Sequence, residues 1–148
     1  TYMRMAEELA KLSYAERKKV GCLIVKDTQI IAEGFNGTPA GFNNSCEYYD
    51  HLDEIHTKPE VLHAESNAIT KLARSTNSSS ESTVYVTLAP CYDCAKLIIQ
   101  AGIKRVVYKE EYTKNGLDLL IWSFQKTILF LRLYKKIASM LDTKESQL

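Results

Sequence analysis

The sequence predicts an α/β domain in which helices pack on a sheet. Two β-branched runs near the N-terminus indicate a hairpin, and the segments after it alternate between helical and strand patterns. With 148 residues, 45% of them hydrophobic, the chain has the size and composition of one domain with its own core. We therefore expect a single layered domain over residues 1–148.

The N-terminal part is predicted to contain a helix, the hairpin and a long loop. Apolar residues recur at helical spacing over residues 2–12, and the strand-like runs 20–25 and 29–33 are separated by a short polar turn. Three glycines and a proline fall within 34–41, and polar residues continue to Pro59. Such a glycine-rich loop can bring backbone N–H groups close to a phosphate or a sugar.

The following segments alternate. A helix is predicted from 61 or 62 to about 75, a strand over 83–88, a helix over 91–101 ended by Gly102, and a strand over 104–108. Another helix is predicted from about 116. The last expected elements are a strand over 127–133 and a short helix over 135–141, although apolar residues between 120 and 131 also fit one helical face.

Charge and hydropathy exclude two classes of partner. The chain carries 19 basic and 18 acidic residues, whereas nucleic-acid binders usually show a basic excess. The one basic cluster, Arg17-Lys18-Lys19, suits a small anion better than a long polyanion. The longest apolar stretch near the C-terminus is interrupted by polar or charged residues at 125, 126 and 132, which argues against a membrane span.

Cysteine usage favours a reducing, cytoplasmic setting. Of the four cysteines, Cys22 lies in an apolar run and is predicted to be a buried free thiol, and two others form a metal-type CxxC. Cys46 could join His51 and His56 at a second metal site. That interpretation is less favoured, because these residues lie in a polar loop without an evident fourth ligand.

The strongest chemical signal is His63-Ala64-Glu65, followed downstream by a Pro-Cys-x-x-Cys motif whose two cysteines are Cys91 and Cys94. One imidazole and two thiols provide three ligands for a tetrahedral zinc and leave the fourth position open, as in catalytic rather than structural sites. A CxxC alone is more often a redox pair or half of a structural zinc site. The upstream HxE makes a hydrolytic zinc site the better interpretation.

The helix period adds a geometric requirement. Cys91 and Cys94 lie on one side of a helix, but His63 and Glu65 are about 200° apart in a regular one. The last two converge only if they lie where a helix begins. Both motifs should therefore open helices, whose positive ends stabilise thiolates and other anions.

Glu65 is predicted to move protons rather than to bind the metal. It would accept a proton from a water activated at the zinc, pass it to a ring nitrogen of the substrate, and then protonate the departing amine. A carboxylate bound to the metal could not act in this way. The expected reaction is hydrolytic deamination.

The sequence also resembles the deoxycytidylate deaminase branch of the zinc-dependent cytidine/deoxycytidylate deaminase superfamily. The zinc motifs are common to the superfamily, whereas the Phe-Asn-Gly-x-Pro-x-Gly loop and the later Asn-x-Cys-Glu are typical of this branch. The resemblance extends over about 2–120 and rests on the segments 17–21, 34–41, 44–47, 63–68, 84–91, 94–103 and 106–108.

This resemblance implies a three-layer α/β/α cytidine-deaminase-like fold with a five-stranded mixed sheet and helices on both faces. It implies conversion of dCMP to dUMP and ammonia, which supplies dUMP for thymidylate synthesis, and a homo-oligomer that is commonly a hexamer. By similarity, Asn36 would bind the deoxyribose, the Ala64 backbone N–H would bind the pyrimidine carbonyl, and Tyr112 would lie close to the substrate.

The resemblance also implies regulation. Many members are activated by dCTP and inhibited by dTTP, with Mg²⁺ on the triphosphate. The regions around Lys19, Gly37 and Gly41 resemble those that build that effector site. Which cation holds the substrate phosphate stays open among four candidates: Arg17, Lys18, Lys19 and Arg105.

Two departures from the family pattern carry predictions. Many relatives have a cysteine where this chain has Ala15 or Glu16 and use it for a structural zinc, so we expect one catalytic zinc per subunit. The segment 120–148 does not match the usual family ending. Two alternatives stay open: a deaminase of cytidine or deoxycytidine, and a non-catalytic interaction domain stabilised by zinc.

Overall fold

The fold follows the predicted alternation and adds one hairpin to it. A computed structural model describes residues 1–124. The helices and strands occur in this order: α1 Tyr2–Ala10, β1 Gly21–Lys26, β2 Gln29–Phe35, β3 Glu47–Tyr49, β4 Ile55–Thr57, α2 Ala64–Leu72, β5 Thr83–Leu88, α3 Tyr92–Gln100, β6 Arg105–Glu110 and α4 Leu117–Phe124.

The main sheet is mixed and has the strand order β2-β1-β5-β6. Strand β1 is antiparallel to both neighbours, whereas β5 and β6 run parallel and are joined through α3. The mixed sheet confirms the expected class. Four rather than five strands form the sheet within residues 1–124; the predicted strand over 127–133 and helix over 135–141 lie outside the described residues.

Helices cover both faces of the sheet, because alternate residues of the central strands face opposite sides. On one face, α1 packs against Leu23, Val25 and Tyr85. On the other, α2 and α3 cover Cys22 and Ile24 together with β5 and β6, and this larger cluster is the main core. The predicted three-layer arrangement is confirmed.

Glycine allows α2 to lie directly against β2. A Cβ at Gly34 would lie 2.3 Å from the Ala64 carbonyl oxygen and 2.7 Å from the Ala68 nitrogen, so any side chain there would displace the helix. Gly21 plays the same part under α1, where a Cβ would come within 2.0 Å of the Ala6 carbonyl oxygen. The first turn of α2 is thereby fixed against the sheet.

The predicted start of the second helix was two or three residues early. Leu62 forms an isolated β-bridge with Gly37, with N···O distances of 2.9 and 3.1 Å, and this pairing keeps the chain extended until His63. The helix ends at Leu72 rather than near 75. Its last residues continue as a turn in which Arg74 and Ser75 donate to carbonyls three residues back.

The β3–β4 hairpin was not predicted. Each strand has three residues, shorter than the runs from which alternation can be recognised, and most of its side chains are at least partly exposed. The pairing registers are Glu47 with Thr57, Tyr48 with His56 and Tyr49 with Ile55. This hairpin lies beside the site described below.

No helix within residues 1–124 combines the length and apolar character that crossing a bilayer requires.

Candidate active site

Three predicted metal ligands meet where α2 and α3 begin. His63 is the N-cap of α2 and Cys91 the N-cap of α3, both in extended conformation, and Cys94 lies in the first turn of α3. The His63 Nδ1 atom is 3.4 Å from each of the two sulfurs. Both motifs therefore open helices, as the helix period requires.

These distances fit a tetrahedral zinc. With Zn–N of about 2.0 Å and Zn–S of about 2.3 Å, two ligand atoms of a tetrahedral site are about 3.5 Å apart. The three ligand atoms lie within 4.8 Å of one another, and imidazole with two thiols is a donor set that zinc prefers. His63, Cys91 and Cys94 can therefore hold Zn²⁺ with a fourth position left for another ligand.

The surroundings of the two sulfurs favour a thiolate. A hydrogen bond with the Cys94 thiol is the largest cause that lowers the pKa of Cys91, to about 4, and a hydrogen bond with His63 acts in the same direction. The same hydrogen bond raises the pKa of Cys94, and burial raises it further. Cys91 is thus prepared to bind a cation as the thiolate.

Glu65 lies beside the predicted metal ligands and outside the group of side chains close enough to share a metal. Its side chain is 4% exposed, in the first turn of α2. Burial is the largest cause that raises the pKa of Glu65, to about 7. A carboxyl group that titrates near neutral pH can both accept and return a proton, which suits the predicted proton transfer.

A cavity of about 410 Å³ opens beside this cluster. His63, Glu65 and Cys91 line it, and so do the three residues predicted to bind substrate, Asn36, Ala64 and Tyr112. Ala64 is the first residue of α2, so its N–H has no intrahelical acceptor and is available to a ligand. The structure thus brings the predicted catalytic and substrate residues around one space.

Asn36 lines the cavity and holds the neighbouring segment 18–20, which also contributes to the cavity wall. Its Nδ2 donates to the Lys18 carbonyl oxygen at 2.8 Å, and its Oδ1 accepts from the Val20 N–H at 2.8 Å. An amide nitrogen carries two hydrogens, so one N–H remains for a ligand. Asn36 therefore has a structural role in addition to the predicted contact with the sugar.

Tyr112 lies in the loop between β6 and α4, which is anchored to the metal site. The Asn115 side chain donates to the Tyr112 carbonyl oxygen at 2.6 Å, and the Gly116 N–H donates to the Pro90 carbonyl oxygen at 2.9 Å. Asn115 also forms a β-bridge with Cys91. The loop that carries Tyr112 is thereby fixed relative to Cys91, a predicted metal ligand.

Comparisons with known proteins agree with this geometry. A model of the cytidine and deoxycytidylate deaminase zinc-binding region matches residues 1–110. The chain belongs to this deaminase family. The family model covers the three predicted metal ligands and Glu65, and it ends at the last residue of β6.

Relatives of known activity and structure are found as well. The deoxycytidylate deaminase of Enterobacteria phage T4 is 34% identical, with 78% of this chain and 79% of that protein covered. The crystal structure of the dCMP deaminase from cyanophage S-TIM5 in complex with dCMP and dUMP has a TM-score of 0.79 and 42% identity, covering 88% and 93% of the two chains. A diaminohydroxyphosphoribosylaminopyrimidine deaminase/reductase from Thermotoga maritima is more distant, with a TM-score of 0.68, 27% identity, and coverage of 93% of this chain and 37% of that one.

The four candidate phosphate-binding cations lie in three different places of this deaminase. Arg17 and Lys18 line the cavity. Lys19 lines a second cavity of about 230 Å³, together with Glu7 and Lys109, and Lys18 borders this cavity as well. Arg105 begins β6 opposite Thr83, at the end of the sheet away from the metal ligands, so its position does not support a role in substrate binding.

The predicted effector residues do not share a cavity. Lys19 lines the second cavity, whereas Gly37 and Gly41 line neither of these two cavities. The less favoured metal set is not assembled either. Among residues 1–124, the groups close enough to share a metal are the zinc triad and Asp50, Glu54 and His56, and Cys46 belongs to neither.

Two cavity residues were not predicted as functional. Glu47 and Thr57, from the β3–β4 hairpin, line the cavity. Glu47 belongs to the Asn-x-Cys-Glu segment, which marks the resemblance, but the sequence gives no indication of the contact it makes. The pairing of Glu47 with Thr57 depends on a hairpin that the sequence pattern does not reveal.

Proposed function

We propose that this chain is a zinc-dependent hydrolase that converts dCMP to dUMP and ammonia. The observation that carries the proposal is one cavity that joins the His63, Cys91 and Cys94 cluster, the buried Glu65 and the cation Arg17. The dCMP deaminase of cyanophage S-TIM5, whose crystal structure contains dCMP and dUMP, supports the choice of substrate.

The chain's own residues account for the proton transfers. Bound zinc supplies a water molecule acidified enough to act as a nucleophile near neutral pH. Glu65 accepts a proton from that water and delivers it to the ring nitrogen of cytosine, which makes the carbon bearing the amino group more electrophilic. After hydroxide has added to that carbon, Glu65 takes the second proton of the former water from the new hydroxyl group and gives it to the amine. The C–N bond then breaks, ammonia leaves, and the carbonyl of dUMP forms. Burial of Glu65 keeps its pKa close to the value this exchange requires.

The cavity wall provides contacts for the rest of the nucleotide. The N–H of Ala64, at the positive end of α2, suits the pyrimidine carbonyl oxygen. The remaining N–H of Asn36 suits a sugar hydroxyl, and Tyr112 offers an aromatic surface next to the base. Arg17 is the cation best placed for the phosphate, because Lys18 is already paired with Glu110 at 2.6 Å.

Several finer points rest on the sequence and on family similarity, and they belong to this proposal. They are one zinc per subunit, a homohexamer, a cytoplasmic location, and activation by dCTP and inhibition by dTTP with Mg²⁺ on the triphosphate. Lys19 in the second cavity is the residue on which an effector contact would rest. Rates of dCMP turnover with and without each triphosphate, at saturating Mg²⁺, test the regulation.

A substrate panel tests the proposed function. Ammonia release from dCMP, deoxycytidine and cytidine is measured with zinc-loaded protein under identical conditions. We expect turnover to require the 5′-phosphate, with dCMP the best of the three substrates. Equal kcat/KM for deoxycytidine would show a nucleoside deaminase, and no release from any of the three would indicate the non-catalytic zinc domain.

A further inference from the structure

Both members of one cross-strand pair in the β3–β4 hairpin contact the same arginine. Glu47 and Thr57 lie directly opposite each other in the ladder. Glu47 accepts from the backbone N–H of Arg17 at 3.4 Å, and Thr57 Oγ1 accepts from the Arg17 Nη1 at 3.1 Å. The pair therefore holds both the main chain and the guanidinium of Arg17.

The Glu47 carboxylate is directed at the loop that carries Arg17. The residue is 7% exposed, and its second oxygen accepts from the Glu16 N–H at 3.1 Å. The Tyr49 hydroxyl, on the same strand, donates to the Glu16 carboxylate at 2.9 Å. A buried carboxylate that accepts two backbone N–H groups is well satisfied, and its removal would free the loop from the hairpin.

The same loop is held from its other side by Asn36. Glu47 accepts from the backbone of residues 16 and 17. Asn36 bonds to the backbone of residues 18 and 20, which come next along the chain. Residues 16–20 are thus fixed between the hairpin and the loop that carries a predicted sugar ligand. The position of Arg17 relative to Asn36 is set by these hydrogen bonds.

The guanidinium of Arg17 retains capacity for an anion. Among residues 1–124 no ion pair involves Arg17, and its bond to Thr57 uses one of five N–H donors. A guanidinium held in one orientation by a hydroxyl presents its other donors in a fixed fork, which suits a phosphate. The hydrogen bond to Thr57 limits the directions in which that fork can point.

From these contacts we propose that Glu47 and Thr57 are positioning residues that hold Arg17 for recognition of the substrate's 5′-phosphate. The inference rests on the proposed function and deepens it, because it assigns phosphate discrimination to a hairpin outside the zinc motifs. It also gives a role to Glu47, a buried residue that takes no part in the proton transfers of deamination.

A double-mutant cycle on zinc-loaded protein tests this inference. The dissociation constants of dUMP and deoxyuridine are measured by calorimetry for wild type, Arg17→Ala, Thr57→Val and the double variant. The preference for dUMP should fall about tenfold or more in Arg17→Ala and about threefold in Thr57→Val, as expected for loss of a charged hydrogen bond and of its support. In the Arg17→Ala background, Thr57→Val should have no further effect.

Glu47→Gln is the second variant, and it should weaken the binding of dUMP more than the binding of deoxyuridine. In steady-state kinetics with dCMP, this variant should raise KM and change kcat by no more than about twofold. The reason is that the phosphate contact stabilises the bound substrate and the transition state equally. Two matched controls, Thr83→Val on β5 and Glu33→Gln on β2, should leave the dUMP preference unchanged, since neither residue lines the cavity.

Equal effects of Thr57→Val with and without Arg17 would overturn the inference, as would an unchanged dUMP preference in Arg17→Ala. If Glu47→Gln does not fold, as judged by circular dichroism, the Thr57 cycle decides alone. These binding measurements are independent of turnover. Failure of wild-type protein to release ammonia from dCMP would reject the proposed function instead.

Discussion

The two ends of the cavity are built in different ways. At the metal end, His63 and Cys91 cap two helices that pack on the main sheet, and Cys94 and Glu65 are buried in their first turns. At the outer end, the exposed Arg17 is held by a short hairpin through a few hydrogen bonds. The metal end is fixed by the core, whereas the outer end, which we propose binds the phosphate, depends on polar contacts between the hairpin and a loop.

This difference predicts how substitutions should act. Changes at the metal end should remove zinc, turnover or folding stability, because the residues there are part of the core or bind the metal. Changes at the outer end should alter substrate affinity and leave the fold intact.

The largest effect is expected from loss of a metal ligand. Cys94→Ser should release zinc and abolish ammonia production, since a serine hydroxyl is a poor zinc ligand and the sulfur is one of three protein donors. Zinc content by atomic absorption and dCMP turnover measure the two effects. Cys22→Ser is the matched control; Cys22 is buried in β1 but outside the triad, so it should cost stability and keep zinc. Full zinc occupancy in Cys94→Ser would contradict the assignment of the site.

A smaller but still severe effect is expected from crowding of the α2–β2 contact. Gly34→Ala places a Cβ 2.3 Å from the Ala64 carbonyl oxygen, and the strain should lower the free energy of unfolding by about 1–3 kcal/mol. Denaturant unfolding measures it. The control is Gly37→Ala, whose Cβ would meet its nearest neighbour at 4.0 Å and should change stability by less than about 0.5 kcal/mol. Equal stability of the two variants would show that the close approach is not needed.

The smallest effect is expected at Lys18. This residue lines the cavity, but its Nζ is paired with Glu110, and both side chains are about half exposed, at 53% and 50%. Lys18→Met should change stability by about 1 kcal/mol or less and the KM for dCMP by less than about threefold. Steady-state kinetics checks this. A tenfold rise in KM would move the phosphate contact from Arg17 to Lys18.

The metal end could be predicted from the sequence because its information is local. The spacing within HxE and CxxC, combined with the helix period, required that both motifs open helices, and the structure has His63 and Cys91 at the N-caps. Burial of Glu65 follows from the same placement. The outer end could not be predicted in this way, because the contacts of Arg17 join residues 30 and 40 positions apart through three-residue strands.

Asn36 shows the limit of a transferred role. The resemblance implies a contact with the deoxyribose, but the hydrogen bonds of Asn36 to Lys18 and Val20 also make it part of the loop's structure. Only the structure reveals this second function. Loss of Asn36 would therefore disturb both the sugar contact and the segment that carries Arg17.

The most direct test of the account is the zinc content and dCMP turnover of Glu65→Gln. The substitution preserves the size of the side chain but removes its capacity to accept a proton, and Glu65 is not among the three metal ligands. If Glu65 carries the proton, this variant should keep wild-type zinc content while kcat falls by about a thousandfold or more, as for essential catalytic groups. Turnover close to that of wild type at full zinc occupancy would contradict the assignment of Glu65 as the proton carrier.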